Sequence, residues 1–270
     1  MRRLSDAFAR ARDESRSLLV GFVTGGDPSP DSTLKIARAL VDGGVDVIEL
    51  GIPFSDPIAD GPSIQASSAR ALRNGVTSKM VLEMAEEISS DLDVPVAILT
   101  YFNSIFNMGV EEFLAIAAKS NVAGIVVPDL PPEESNEYGK SAIEREIDTM
   151  YLATPATPDE RLEKIIKSTT GFLYLVTLFG VTGARNNFDE YSREVTRRFV
   201  SKVSGRVPLA VGFGISRPEH VRLFTDLGVD GVIVGSALVN IIERNIGDDL
   251  KMISELEQLS KDLRSATKVL

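Results

Sequence analysis

The chain of 270 residues contains no cysteine. Disulfides, thiolate catalysis and any cysteine-based metal site are therefore excluded. Histidine is almost as scarce: the one copy, His220, follows Pro218-Glu219 in a polar helix start and reads as a surface residue without a role. No His cluster or carboxylate cage has metal-ligand spacing, so no metal is expected. The start, residues 1–8, turns polar at once and has no apolar run of signal-peptide length, and no later stretch approaches a membrane span. Positive charge is also in deficit. A formal net charge of −10 and a pI of about 4.8 leave no electrostatic footprint for nucleic acid or an anionic membrane. An anionic substrate would have to be held by backbone amides. These absences fit a soluble, unprocessed cytoplasmic protein.

What the chain does have is apolar content, 43% of its residues, enough for one substantial core. Short Val/Ile/Leu-rich runs recur at residues 18–23, 45–50, 95–101, 123–127, 149–153, 172–177, 207–211 and 231–234, with helical patterns between them. Among those helices are segments 63–73 and 77–90, divided by Asn74-Gly75 and the second opened by a Thr77 or Ser78 cap, then 110–120 and 158–167. Strands buried on both faces read as continuous apolar runs, and eight βα units in this length predict a single-domain (β/α)8 barrel over residues 1–270. Leu4, Phe8 and Ala11 lie at helical spacing in an extra N-terminal helix, residues 3–14, placed to plug the barrel's lower end. A tail stripe of Met252, Leu256, Leu259 and Leu263 requires a core partner.

The chemistry is expected where the second strand ends, in the run Glu49-Leu50-Gly51-Ile52-Pro53-Phe54-Ser55-Asp56-Pro57-Ile58-Ala59-Asp60-Gly61. Alternation places Val45, Val47 and Glu49 on one face, so a barrel interior lined by the valines carries the Glu49 carboxylate at its mouth. A charged residue ending a buried strand is seldom left unpaired without a reason. Two carboxylates in one pocket, one on a rigid strand and one on a loop, can have their pKa values pushed apart for separate proton-transfer roles. Asp56 and Asp60 beside Pro57 and Gly61 also fit plain turn chemistry, and for Asp56 the two readings stand level.

Three glycine-bearing loops follow the sixth, seventh and eighth strands: Gly180-Val181-Thr182-Gly183, Gly212-Phe213-Gly214 and Gly235-Ser236. Each alone is explained by a tight turn, but together they coincide with the phosphate site of such barrels, and Gly-Ser opening a helix offers free amides to an anion. Phe22, Leu99, Tyr101, Val126, Leu152 and Tyr174, at strand ends, would ring a flat apolar cavity suited to an aromatic group.

The acidic stretch with Gly61-Pro62, the glycine loops at 180–183 and 212–215, Leu99-Thr100-Tyr101, residues 103–107 and residues 131–135 resemble the tryptophan synthase α subunit over nearly the whole chain. The resemblance implies retro-aldol cleavage of indole-3-glycerol phosphate to indole and glyceraldehyde 3-phosphate, without a cofactor in this chain. Glu49 would then be the acid/base and Asp60 would face the indole N–H. Phe22, Leu99 and Tyr101 would sandwich the ring, with Tyr174 beside it and Thr182 near the catalytic loop. The phosphate would lie on amides around Gly183, Phe213, Gly214, Gly235 and Ser236.

The resemblance further implies an α2β2 assembly in which a pyridoxal-phosphate β subunit receives indole. It would dock near Pro53, Asp56, Pro57, Asn103, Phe106 and Pro131. Phe179 and the Arg185-Asn186-Asn187-Phe188 run depart from the smaller polar residues flanking this loop in the family. The alternatives are a stand-alone lyase that releases free indole, a non-catalytic activating subunit and another phosphate-binding barrel. The last usually relies on a catalytic Lys or His, which these strand ends do not present.

Overall fold

The computed structural model describes residues 3–176, 185–212 and 214–269. Its strands are β1 (Leu18–Thr24), β2 (Val47–Gly51), β3 (Val96–Leu99), β4 (Val122–Val126), β5 (Asp148–Met150), β6 (Leu152–Ala153), β7 (Leu173–Val176), β8 (Leu209–Gly212) and β9 (Gly231–Val234). All pair in parallel, in the order β5-β4-β3-β2-β1-β9-β8-β7-β6. The two ends of that order are consecutive in the chain. Tyr151 separates β5, which pairs with β4, from β6, which pairs with β7, so the two segments are halves of one barrel strand and the sheet closes on itself. The tertiary fold is thus an eight-stranded parallel barrel.

Helices among the described residues are α1 (Leu4–Asp13), α2 (Thr33–Asp42), α3 (Pro62–Arg73), α4 (Ser78–Asp91), α5 (Phe102–Met108), α6 (Val110–Lys119), α7 (Asn136–Glu144), α8 (Asp159–Ser168), α9 (Arg185–Val203), α10 (Pro218–Asp226), α11 (Ser236–Arg244) and α12 (Asp249–Ser265). The Thr77 hydroxyl caps α4 by accepting from the Met80 N–H at 3.3 Å. Helix α5 is the element that periodicity did not reveal. It is short and uncharged, and it is set off from α6 by Gly109 at φ 92°, so the two do not merge into one pattern.

Side-chain alternation divides the sheet into two apolar layers. The outward residues, such as Leu19, Ile48, Leu50, Ile98 and Val232, pack under the helices. Inward residues Leu18, Val20, Val47, Ala97, Ala210 and Ile233 join Leu4, Ala7, Phe8 and Ala11 of α1 in a second core, so α1 closes the lower end of the barrel. Val45 departs from the expected parity: β2 begins only at Val47, and Val45 packs in the outer layer. The cause is next to it. Asp46 turns to the buried Arg16 guanidinium in a bidentate pair, 2.7 Å on each arm, and also accepts from the Leu19 N–H, which breaks the alternation before the strand starts.

The tail stripe finds its partner in α2. Met252, Leu256 and Leu263 are buried as the spacing requires, but Ser260 is fully buried where Leu259 is only partly so. At Gly43, a Cβ would stand 2.3 Å from the Ser260 Cβ, so glycine opposite serine is what lets α12 approach this closely.

Candidate functional site

At the carboxyl ends of the strands, the barrel opens into a cavity of ≈ 450 Å³. Parity delivers its walls: Phe22, Glu49, Leu99, Val126, Leu152, Tyr174, Val176 and Ile233 are inward side chains at or near the carboxyl ends of their strands. Small inward residues keep the space open. A Cβ at Gly51 would lie 2.8 Å from the Phe22 ring, and one at Gly212 would lie 2.5 Å from the Tyr174 hydroxyl, so glycine at these two positions makes room for the aromatic walls.

Glu49 is 1% exposed, and neither carboxyl oxygen has a hydrogen-bond partner among the described residues. A carboxylate in that position loses its hydration without compensation. Burial therefore pushes its pKa up to about 8, and the charge of Asp60 across the cavity adds to the shift. Asp60 is itself raised by burial, with a Tyr101 hydrogen bond opposing. It lies on the loop between β2 and α3, where Ala59, Gly61, Pro62 and Ile64 also reach the cavity. The two carboxyl groups thus differ in environment: one is buried and unpartnered on a strand, the other is partly solvated and hydrogen-bonded on a loop. Burial, then the charges of Glu49 and Asp60, hold the Tyr174 hydroxyl well above its ordinary range, so it stays protonated.

Gly214, Ile215, Gly235 and Ser236 form another part of the lining. Gly214 adopts φ +74°, a conformation that favours glycine. Ser236 begins α11, and the first bonds inside that helix run from the Leu238 and Val239 amides to the Gly235 carbonyl. The amides of Ser236 and Ala237 precede those bonds, at the positive end of the helix dipole, the arrangement that receives anions elsewhere.

Of the residues expected at the site, Phe22, Glu49, Asp60, Leu99, Val126, Leu152, Tyr174, Gly214, Gly235 and Ser236 converge on this cavity. Tyr101 does not line it. Its ring stacks on Phe54, centroids 5.1 Å apart, and its hydroxyl accepts from the Ala59 N–H at 3.0 Å and bonds the Asp60 carboxylate, so it props the acidic loop from below. Thr182, Gly183 and Phe213, with the loop around residues 179–184, lie outside the described residues. His220 accepts from the Ser216 N–H at 3.3 Å and is absent from the lining.

Ile64, Pro128, Thr154 and Ile233 also line the cavity and were not anticipated. Ile233 was available from parity on its strand, and Pro128 from its place just past β4. Ile64 carried no signal, because its direction depends on how the acidic loop folds back.

The residues expected to meet a partner follow three adjacent strands. Asp56 and Asn103 are exposed, Pro57 and Pro131 are half-buried and Pro53 is buried. Phe106 is 67% exposed, and Ile58, which was not anticipated, is 81% exposed. Asp129 accepts from the Phe102 N–H at 2.9 Å and so fixes the start of α5 against the next loop.

An apolar pocket with one unpartnered carboxyl group, a second on a loop and a helix amino end fits the class of acid–base enzymes built on a (β/α)8 barrel. The comparisons with known proteins narrow the class. The family model for the tryptophan synthase alpha chain matches residues 8–268, and the chain belongs to that family, the carbon–carbon lyase chain of tryptophan biosynthesis. It is 44% identical over 247 residues to the tryptophan synthase alpha chain of Methanothermobacter thermautotrophicus, covering 92% of this chain and 91% of the relative. A solved tryptophan synthase alpha subunit from Legionella pneumophila superposes with a TM-score of 0.90 at 31% identity, over 99% of this chain and 98% of that one. A chain of Mycobacterium tuberculosis tryptophan synthase gives 0.88 at 31% identity, over 99% of each.

Proposed function

We propose that Glu49 and Asp60 carry out retro-aldol cleavage of indole-3-glycerol phosphate in this cavity. The observation that carries the reading is the Glu49 carboxyl group, buried, unpartnered and raised to about 8, so that it holds a proton at neutral pH. It gives that proton to indole C3. The positive charge then appearing on the ring nitrogen is offset by Asp60, a carboxylate aimed at charge that exists only along the reaction path. The C3 to side-chain bond breaks with its electrons returning to the ring, the adjacent hydroxyl becomes the aldehyde, and Glu49 takes that hydroxyl's proton. Acid and base are the same group at successive moments, so no proton is gained or lost overall.

Phe22, Leu99, Val126, Leu152 and Tyr174 enclose the indole, and Gly214, Gly235 and Ser236 hold the phosphate, together with Gly183 and Phe213. Thr182 serves the catalytic loop. Residues 1–270 form one barrel domain that works in the cytoplasm and needs no cofactor of its own. The surface around Asp56, Ile58, Asn103, Phe106 and Pro131 receives a β subunit in an α2β2 assembly, and pyridoxal phosphate belongs to that partner. Membership of the tryptophan synthase alpha chain family and similarity to chains of tryptophan synthase structures support this reading.

The test is indole release from indole-3-glycerol phosphate with and without the β subunit. Turnover that rises with the partner is the expected result. No indole under either condition would leave the chain as a non-catalytic subunit, and full turnover without any effect of the partner would favour the stand-alone lyase.

A further inference from the structure

Arg70 lies on α3, outside the cavity, with a side chain 15% exposed. Its guanidinium holds both carboxylate oxygens of Asp27, Nε to Oδ1 at 2.7 Å and Nη2 to Oδ2 at 2.9 Å, and Nη1 reaches Glu243 of α11 at 2.8 Å. The Asp27 side chain is fully buried. A bidentate pair of this kind fixes the relative position of two elements in direction as well as distance. One turn earlier along the same helix face, the Ser67 hydroxyl bonds Thr24 at 2.6 Å, both residues buried. In the first turn, the Gln65 side-chain amide donates to the Asp60 carbonyl at 2.7 Å, and Ile64 enters the cavity. Successive turns of α3 thus run from a buried ion pair to the backbone of the loop carboxylate.

The geometry points to Arg70 as a positioning residue that sets the Asp60 carboxylate against the substrate through α3. The inference rests on the role proposed above for Asp60. It also explains why an arginine sits there: Asp27 alone would be a buried charge, and a lysine would supply the charge without the planar fork that holds direction.

Arg70→Lys is the test, because it keeps the charge and loses the fork. A misplacement of the order of 1 Å costs about 10²-fold in rate. The variant is therefore expected to melt cooperatively and to lose kcat on that scale, while KM changes little, the pattern of an interaction realised only in the transition state. In an Asp60→Asn background, Arg70→Lys should cost nothing further, since there is no carboxylate left to place. An equal loss in both backgrounds, or none in the parent protein, overturns the inference. Full activity of Asp60→Asn alone would defeat the reading of the site instead. Should Arg70→Lys fail to fold, Ser67→Ala, which removes the Thr24 contact and the hydroxyl's bond to the Ile64 carbonyl within the helix, carries the same double-mutant comparison with the same outcomes.

Discussion

Glu49 can be interrogated without any substrate, because its carboxyl group is ionised in the unfolded chain at neutral pH and protonated in the folded one. Its ordinary pKa is 4.5 and its folded value about 8, so between these the native state binds the extra proton and stability falls as pH rises. Below 4.5 both states are protonated and the penalty vanishes; above about 8 it is complete. At about 1.4 kcal/mol per pH unit, the penalty at pH 7 is on the order of 3 kcal/mol. Glu49→Gln is therefore expected to be more stable than the parent at pH 7 in urea unfolding and equally stable near pH 4. A mutant no more stable at pH 7 would mean that the carboxyl group finds compensation. The same substitution should lower kcat by about 10²–10⁴-fold, the usual contribution of a general acid or base. In the parent, kcat/KM should decline above about pH 8 as the proton to be donated is lost.

Among the elements, the approach to β2 is held by an ion pair as enclosed as Asp27–Arg70. Arg16 is buried and paired with Asp46 on two arms and with Glu14 on a third at 2.6 Å. Asp46→Ala leaves that guanidinium buried with Glu14 as its remaining charged partner and the Ser17 carbonyl beside it, and breaking such a pair typically costs about 3–5 kcal/mol. A urea midpoint shift of that size is expected, and an unchanged midpoint would show that water reaches Arg16. At the opposite end of the barrel, Gly235 ties two features together. A Cβ there would stand 3.3 Å from the Phe22 ring and beside the free amides of α11. Gly235→Val should raise KM by roughly tenfold, the equivalent of about 1.4 kcal/mol. An unaltered KM would place the phosphate elsewhere.

For the whole molecule, the mouth of the barrel leaves two large apolar residues to solvent. Phe106 on α5 and Ile58 on the acidic loop belong to connections that follow neighbouring strands. An exposed aromatic residue on such a surface has the character of an interface anchor, and anchors of this kind typically contribute about 2 kcal/mol or more. Phe106→Glu is expected to leave the melting temperature unchanged and to weaken association with a β subunit by more than tenfold, measured by sedimentation. Undiminished association would move the docking surface away from α5.

The sequence by itself determined the barrel, because strands buried on both faces leave continuous apolar runs that turn chemistry separates cleanly. It also determined the floor of the site: Glu49 closes a β-branched run, and period-two alternation from Val47 sends it inward. Alternation failed at Val45, where Asp46 answers to Arg16 from 30 residues away. Only the tertiary structure decided what depends on distant partners. Tyr101 is a prop and not a wall because Phe54 and Asp60 come to it. Ile64 faces the cavity on a helix that follows the folded-back acidic loop and whose Arg70 pairs with Asp27, 43 residues before it. Local periodicity records which face a side chain takes, but pairings between groups far apart in the chain leave no period, and the direction of a helix after a proline-rich loop is set by such pairings together with its packing on other elements.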